Sequence, residues 1–282
     1  NSDVPETLNF VKMNLRFSLF LVSVFCLHNC NKEKLPPGNV SGCLPKTVKI
    51  VNDDGTYHYE KELFYEDGKI IRAEFTNGDY SLFHYNQIGL ISQIEFFDQT
   101  GNLKDHDKFE YNSDGQLIHH LFFLGDTTIF TEVFYTYEND RLATFEEYVH
   151  WVHQGTLRFE GKFFFDEIGN ISRRADSLDV ETGGGVCYFY DDKNHFLKNV
   201  KSPIRTRTQS LIDITARNLL NTVHNNLLGY EAKTVLPDGQ VVTGSEHHRL
   251  IEYNGYDFPT KIEIIADDEL KFTETITYIR CE

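Results

Sequence analysis

FEYNSDGQLIHHLFF, residues 109–123, is the clearest copy of a motif that repeats along this chain. A run that alternates apolar and polar residues ends at Tyr111, and a second such run begins at Gln116. The residues between them, Asn112 to Gly115, favour a tight turn, and Gly115 can adopt the positive φ that such turns require. The stretch therefore predicts a β-hairpin.

The same hairpin motif recurs through most of the chain, and internal repetition of this kind indicates the architecture. An aromatic residue opens each copy, at Tyr65, Tyr85, Tyr111, Tyr137, Phe165, Tyr190 and Tyr253. Two strands with their two connections need about 20 to 26 residues, which is close to the spacing of the first six copies. We therefore predict an all-β fold, an antiparallel meander of about sixteen strands. A sheet of this size is strongly curled or barrel-like.

One segment within the long interval between Tyr190 and Tyr253 has a different pattern. Residues 210–224, SLIDITARNLLNTVH, place Leu211, Thr215 and Leu219 near one face of a helix. Ser210 and Asp213 resemble a capping box at its start. The pattern predicts one amphipathic helix near 210–224, inserted into the meander. Such a helix would cover an open edge or end of the sheet, or plug its interior.

The N-terminal region contains the pattern of an export signal. In MNLRFSLFLVSVFCLHNC, residues 13–30, Arg16 precedes an apolar run that is too short to cross a membrane as a permanent helix. The run ends at Cys30 and resembles a bacterial lipoprotein signal, the alternatives being an ordinary cleaved signal or a disordered apolar N-terminus. We therefore expect a signal region over 1–29 with translation starting at Met13, lipidation of Cys30, a lipid-anchored tether over 30–46, and a single β-repeat domain over 47–282.

The net charge of the chain limits the classes of partner that it can bind. The formal net charge is -16 at pH 7, and an acidic chain is repelled by nucleic acid and by anionic headgroups. The sequence therefore predicts no nucleic-acid partner. Attachment to the membrane would come from the lipid on Cys30, which places the protein at the cell envelope after export, at the outer membrane.

Three cysteines follow Cys30 in the sequence: Cys43, Cys187 and Cys281. Export permits a disulfide. Cys43 and Cys281 lie at the two ends of the predicted fold, so a bond between them would join the first strand to the last. Any two of the three could pair, and all could be free.

A transmembrane barrel is the alternative architecture for so many strands. Such a barrel needs an uninterrupted apolar stripe facing the lipid in every strand. Residues 104–108, KDHDK, break that stripe. We therefore expect a curled sheet outside the bilayer, held by its lipid tether.

The repeat has a known counterpart in secreted β-sheet proteins. The segment that begins at Tyr85-Asn86 and continues through Gly89 and Ile91 to Ile94 resembles the YD or RHS-type repeat. Together with the lipoprotein-like signal and the closing strand ETITYIRC, residues 274–281, it resembles a family of bacterial lipoprotein domains of unknown function with a porin-like β fold. The resemblance covers most of the chain from about residue 47. It implies an exported, membrane-anchored β protein and carries over no catalytic residues.

Candidate chemistry is sparse in this sequence. Adjacent carboxylates such as Glu146-Glu147 point to opposite faces of a strand, and so do adjacent histidines such as His119-His120. A metal site would need imidazoles that converge from one face, for example His120 with His150. The pattern predicts no catalytic residue, no metal site and no cofactor.

Aromatic residues provide the strongest indication of a ligand. Tyr148, Trp151 and Phe159 are crowded on two predicted neighbouring strands, and such side chains suit stacking on sugars or contacts with peptides. The sequence therefore predicts a non-enzymatic surface module that binds a glycan, a peptide or a protein. The alternative is a hydrolase acting on an envelope or extracellular polymer, for which two distant acids such as Glu146 and Glu160 must converge in a concavity.

Overall fold

The computed structural model describes residues 43–151, 155–175, 184–195, 197, 225–235, 240–266, 269–279 and 281. These residues form sixteen strands: β1 Leu44–Asn52, β2 Tyr57–Glu66, β3 Lys69–Phe75, β4 Tyr80–Tyr85, β5 Ile91–Phe97, β6 Leu103–Tyr111, β7 Leu117–Leu124, β8 Thr128–Asn139, β9 Leu142–Trp151, β10 Gly155–Phe165, β11 Ile171–Ala175, β12 Gly185–Tyr190, β13 Leu227–Val235, β14 Val241–Tyr253, β15 Pro259–Ala266 and β16 Glu269–Ile279. β1 begins within the segment 30–46 that the sequence analysis treats as a tether.

The sixteen strands form one closed barrel in which each strand pairs antiparallel with its neighbours in sequence. β1 and β16 close the ring through a register that runs from Leu44↔Ile279 to Asn52↔Phe272. The predicted all-β antiparallel meander of about sixteen strands is confirmed, and the sheet closes. Closure leaves no strand of the ring without a partner, which removes the exposed edges that an open sheet would have to protect.

The predicted helix near 210–224 lies outside the described residues, so it stays a prediction. The described residues contain no α-helix. Within the described ranges, no helical segment has the length and hydropathy needed to cross a membrane.

Turn chemistry of the predicted kind shapes the hairpins. Gly89, Gly115 and Gly169 have φ of 85°, 77° and 89°, as the repeat motif requires. In the turn between β2 and β3, Asp67 and Gly68 both have positive φ. A turn of this kind matches the right-handed twist of the flanking strands. These turns lie at one end of the barrel, which we call the tyrosine rim because each follows the aromatic residue that opens its repeat.

The repeated tyrosines tie neighbouring hairpins together at the tyrosine rim. The Tyr85 hydroxyl donates a hydrogen bond of 2.7 Å to the carbonyl oxygen of Ile70, which lies near the start of the return strand of the preceding hairpin. Tyr65, Tyr111, Tyr190 and Tyr278 make equivalent bonds to Pro45, Ile91, Ile171 and Pro259. Burial raises the pKa of Tyr85 and Tyr111, so both remain protonated donors at neutral pH. The recurring spacing of the motif along this chain thus reflects a hydrogen bond between successive repeats.

Side chains alternate between the interior and the outer wall of the barrel. The interior carries the largest apolar cluster, which includes Leu63, Phe83, Ile94, Phe109, Val133, Phe145 and Phe163. The alternate positions face outward and carry many acids, among them Glu62, Glu110, Glu132, Glu146, Glu160 and Glu252. The outer wall of the described strands therefore carries acidic side chains on β2, β6, β8, β9, β10 and β14.

The long insertion between β12 and β13 enters and leaves at the tyrosine rim. β12 pairs across this insertion with β13, which begins at Leu227. The Asp191 carboxylate accepts hydrogen bonds from the backbone N–H and the side-chain amide of Asn226, at 3.0 and 3.1 Å, and from the Tyr253 hydroxyl. Asp191 and Asn226 are buried, so their hydrogen bonds offset the cost of desolvation and fix both ends of the insertion.

Candidate ligand-binding surface

A strip of aromatic and charged side chains crosses the outer wall from β6 to β10. Strand pairing places Glu110, His119, Phe134, Glu146 and Glu160 side by side on five successive strands. The next outward row on β8 to β10 is Glu132, Tyr148 and Arg158. These eight residues are called the aromatic–acidic strip below.

The rings of the strip pack on one another at fixed positions. His119 and Phe134 stack with ring centroids 4.4 Å apart, and Tyr148 meets Phe134 edge-on at 6.2 Å. Phe134 is nevertheless 41% exposed. The strip therefore presents an aromatic surface on rigid strands, and its orientation is set before any ligand arrives.

Polar groups surround these rings and hold one another. The Tyr148 hydroxyl donates a hydrogen bond of 2.8 Å to Glu146, which raises the pKa of Tyr148. Arg158 lies 2.8 Å from Glu160 and 3.3 Å from Glu146, and these carboxylates raise the pKa of its guanidinium, Glu146 most. The strip thus combines an exposed ring with oriented donors and acceptors.

His119 completes the strip on its β7 side. Its Nδ1 and Nε2 lie 3.3 Å from Glu110 and 3.0 Å from Glu132. The two carboxylates fix the plane of the imidazole, and the imidazole in turn supports Phe134. His119 is therefore a positioning group for the exposed ring.

The structure separates the aromatic residues that the sequence groups together. Tyr148 lies on the outer wall within the strip, whereas Phe159 lies opposite Glu147 on the interior face and is 48% exposed there. Trp151 ends β9 opposite Gly155, and its side chain lies outside the described part of the chain. Tyr148 and Phe159 therefore cannot contact one ligand from the same side of the wall.

Glu146 and Glu160, the acids considered for a hydrolase, stand directly opposite each other on β9 and β10. Both are bound to the same guanidinium of Arg158, and both are solvent-exposed on the convex outer wall. Glycoside hydrolysis requires two carboxyls that flank a bound substrate in different environments. The pair is close in space, but the concave site expected for a hydrolase does not form around it.

The histidines occupy the alternating positions that strand geometry dictates. His119 faces outward, and His120 faces the interior, where it lies 2.8 Å from Asp107. His150 is on the outer wall, 3.0 Å from the Thr156 hydroxyl, so it does not converge with His120. Among the described residues, no group of three or more His, Cys, Asp or Glu side chains is arranged to hold a metal ion.

Cys43 and Cys281 are neighbours in the structure. The two residues form a disulfide at the tyrosine rim, with their Cα atoms 4.2 Å apart. It joins the residue before β1 to the segment after β16, beside the strand pair that closes the barrel. Cys187 lies on β12 and is not part of this disulfide. Cys30, the predicted lipidation site, lies outside the described residues.

The sequence alone does not point to Phe134 or Glu132, and it points to His119 only as one of two adjacent histidines. The signal available was the outward alternation of these residues on two neighbouring strands, but that signal becomes a surface only when the register of β7, β8 and β9 is known. The notable exposure of Phe134 likewise depends on its position in the ring of strands.

Comparison with known proteins gives neither a family nor a function. No family model matches the chain, and no curated protein matches it. Among solved structures, a porin-like protein from Bacteroides uniformis is similar at 10% identity and a TM-score of 0.39, with 87% of this chain and 100% of that chain covered. A TcdB2-TccC3-Cdc42 structure is similar at 12% identity and a TM-score of 0.30, with 79% of this chain but only 12% of that chain covered.

Proposed function

We propose that this chain is an exported, lipid-tethered binding module without catalytic activity, which takes a glycan, peptide or protein ligand on the aromatic–acidic strip. The observation that carries the proposal is Phe134, a ring that is 41% exposed although it is packed against His119 and Tyr148. An isolated exposed apolar residue needs no explanation. The Phe134 ring packs against Tyr148 and against an imidazole that two carboxylates hold in place, so its orientation is defined, and this favours recognition.

The neighbouring groups suit a ligand with both apolar and polar surfaces. Phe134 and Tyr148 offer contact area at low cost in side-chain entropy. Glu132 and Glu146 accept hydrogen bonds, as ligand hydroxyls or amides would require, while Arg158 donates them. Rigid strands hold all of these groups, so little conformational freedom is lost on binding.

Replacing Phe134 with alanine is expected to weaken ligand binding roughly tenfold or more, because truncation of a central aromatic anchor removes much of the binding energy. We would measure it by affinity electrophoresis in gels of xyloglucan, galacturonan or glycogen, and on arrays of 12-residue peptides. The matched control is Phe189→Ala, which removes another exposed ring, on β12. Equal binding by Phe134→Ala and the unchanged protein, or an equal loss in Phe189→Ala, would exclude the strip as the binding surface.

The proposed tether makes a separate prediction. Cys30→Ala should move the protein from the membrane fraction to the soluble fraction of cells that express the full chain, because it removes the atom to which lipid is attached. Cys26→Ala, a substitution four residues earlier in the same apolar run, should leave fractionation unchanged. Membrane association that persists in Cys30→Ala would contradict lipid attachment there, without bearing on the strip.

A further inference from the structure

Two cations lie on the interior face of the barrel, far from the aromatic–acidic strip. Lys61 is on β2 and Arg249 is on β14, and between these strands the wall consists of β15, β16 and β1. Glu274 lies on the interior face of β16, opposite Ile50 and Ile262. Both cations interact electrostatically with this one carboxylate.

Lys61 is in an unusual place for a charged side chain. It is only 3% exposed, and its strand neighbours on the two sides are Val48 and Phe75. Its ammonium lies 5.5 Å from the centre of the Tyr59 ring. Within the described residues, no carboxylate lies within ion-pair distance of this nitrogen. A buried ammonium costs several kcal/mol unless an anion or hydrogen-bond acceptors compensate it.

Arg249 shares the same compensating group. It stands opposite Ile264 on β15, and burial lowers its pKa although its guanidinium is too basic to lose its proton. The residue is half-buried. Two permanent or near-permanent positive charges therefore face one carboxylate, which leaves about one positive charge without a counter-charge on this part of the wall.

We propose that the interior of the barrel between Lys61 and Arg249 binds an oxyanion, the phosphate or carboxylate of a small ligand. A guanidinium provides a planar fork that matches either group, and an ammonium adds a compact charge on the other side. Glu274 would orient the two cations. This proposed site shares no residue with the aromatic–acidic strip, so the two proposals are independent.

The protonation of Lys61 makes the site sensitive to pH. Burial lowers the pKa of Lys61 to about 8, and Glu274 partly offsets this shift. Its cross-strand neighbours, Val48 and Phe75, do not titrate, and burial raises the pKa of Tyr59 beside it, so Tyr59 stays neutral over this range. Lys61 is charged at pH 7, and oxyanion binding should weaken as the pH rises through 8, because the ammonium loses its proton.

The test is thermal unfolding of the purified full chain with defined probes. Inorganic phosphate and glucuronate carry the two oxyanions, glucose is the neutral counterpart of glucuronate, and sodium chloride matches the ionic strength. At saturating concentration, phosphate or glucuronate should raise the melting temperature by roughly 2–4 °C at pH 7 and by less at pH 9. If only one of the two acts, the ligand group is identified as phosphate or carboxylate.

Variants separate a specific site from a general salt effect. Lys61→Met should abolish the stabilisation by the oxyanion, whereas Lys49→Met, which removes an exposed lysine from the outer wall of β1, should retain it. If Lys61→Met does not fold, Arg249→Met removes the other cation of the site and tests the same loss of stabilisation. Equal stabilisation of the unchanged protein, Lys61→Met and Arg249→Met would overturn the proposal, and so would a melting temperature that neither oxyanion raises.

Discussion

Replacing Gly161 with alanine is expected to lower the free energy of unfolding by about 3 kcal/mol. Gly161 lies on the interior face of β10, opposite Phe145 of β9. An added Cβ would overlap the carbonyl oxygen of Ala175 on β11 and come within 2.7 Å of the Phe145 ring. The carbonyl belongs to the backbone of a paired strand, so the contact can be relieved only by moving β10 away from β11. Urea denaturation measures the effect.

Gly255 provides the matched control for this substitution. It lies in the turn between β14 and β15, and an added Cβ would meet no atom within 4 Å. Gly255→Ala should therefore change the free energy of unfolding by no more than about 0.5 kcal/mol. Similar stabilities for the two variants would show that β10 and β11 do not approach as closely at Gly161 as the structure indicates.

Loss of the disulfide is expected to have the second large effect. The double variant Cys43→Ala/Cys281→Ala should lower the free energy of unfolding by about 3–5 kcal/mol. The bond closes a loop with a sequence separation of 238 residues, so its removal releases much conformational entropy to the unfolded chain. The unfolding midpoint in urea, compared with that of the oxidised protein, gives the difference.

Two control measurements test whether the loss of stability comes from the disulfide. Reduction of the unchanged protein should lower its stability to nearly the level of the double variant, whereas Cys187→Ala should remain sensitive to reduction, because Cys187 is not part of the disulfide. A double variant as stable as the oxidised parent would mean that the β1–β16 pairing alone constrains the ring.

The hairpins could be predicted from the sequence because their information is local. Gly115 and Gly169 adopt positive φ for reasons contained in four neighbouring residues, and the spacing of the repeat gives the number of strands. Closure of the ring could not be predicted in the same way. It depends on the pairing of β1 with β16, whose residues are more than two hundred positions apart in sequence, and on twist accumulated over the whole sheet.

The end of the repeat at β12 shows the limit of local reasoning most clearly. Asp191 and Asp192 look like ordinary turn residues, and a hairpin through Lys193-Asn194 is the simplest interpretation. The actual partner of Asp191 is Asn226, on the far side of the insertion. A hydrogen bond between residues 35 positions apart leaves no pattern in a short window of sequence.

The candidate surface was only partly predictable for a related reason. Alternation places Tyr148 and Phe159 on definite faces of their own strands, but whether the faces coincide depends on the loop between β9 and β10 and on the resulting register. That register pairs Tyr148 with Arg158 and puts Phe159 on the opposite face. Phe134 joins Tyr148 only through the pairing of β8 with β9.

The disulfide also indicates how the order of the strands in the sequence could be changed. Cys43 and Cys281 have Cα atoms 4.2 Å apart, so a short peptide linker could join the first strand to the last without disturbing the ring. The hairpins at the end opposite the tyrosine rim include exposed turns, such as the one around Gly55, where an added Cβ would meet no neighbouring atom. A circular permutant opened at Gly55 would keep every strand pair. It would lose only the covalent turn between β1 and β2. The order of strands around the barrel is therefore separable from the order in which they are synthesised.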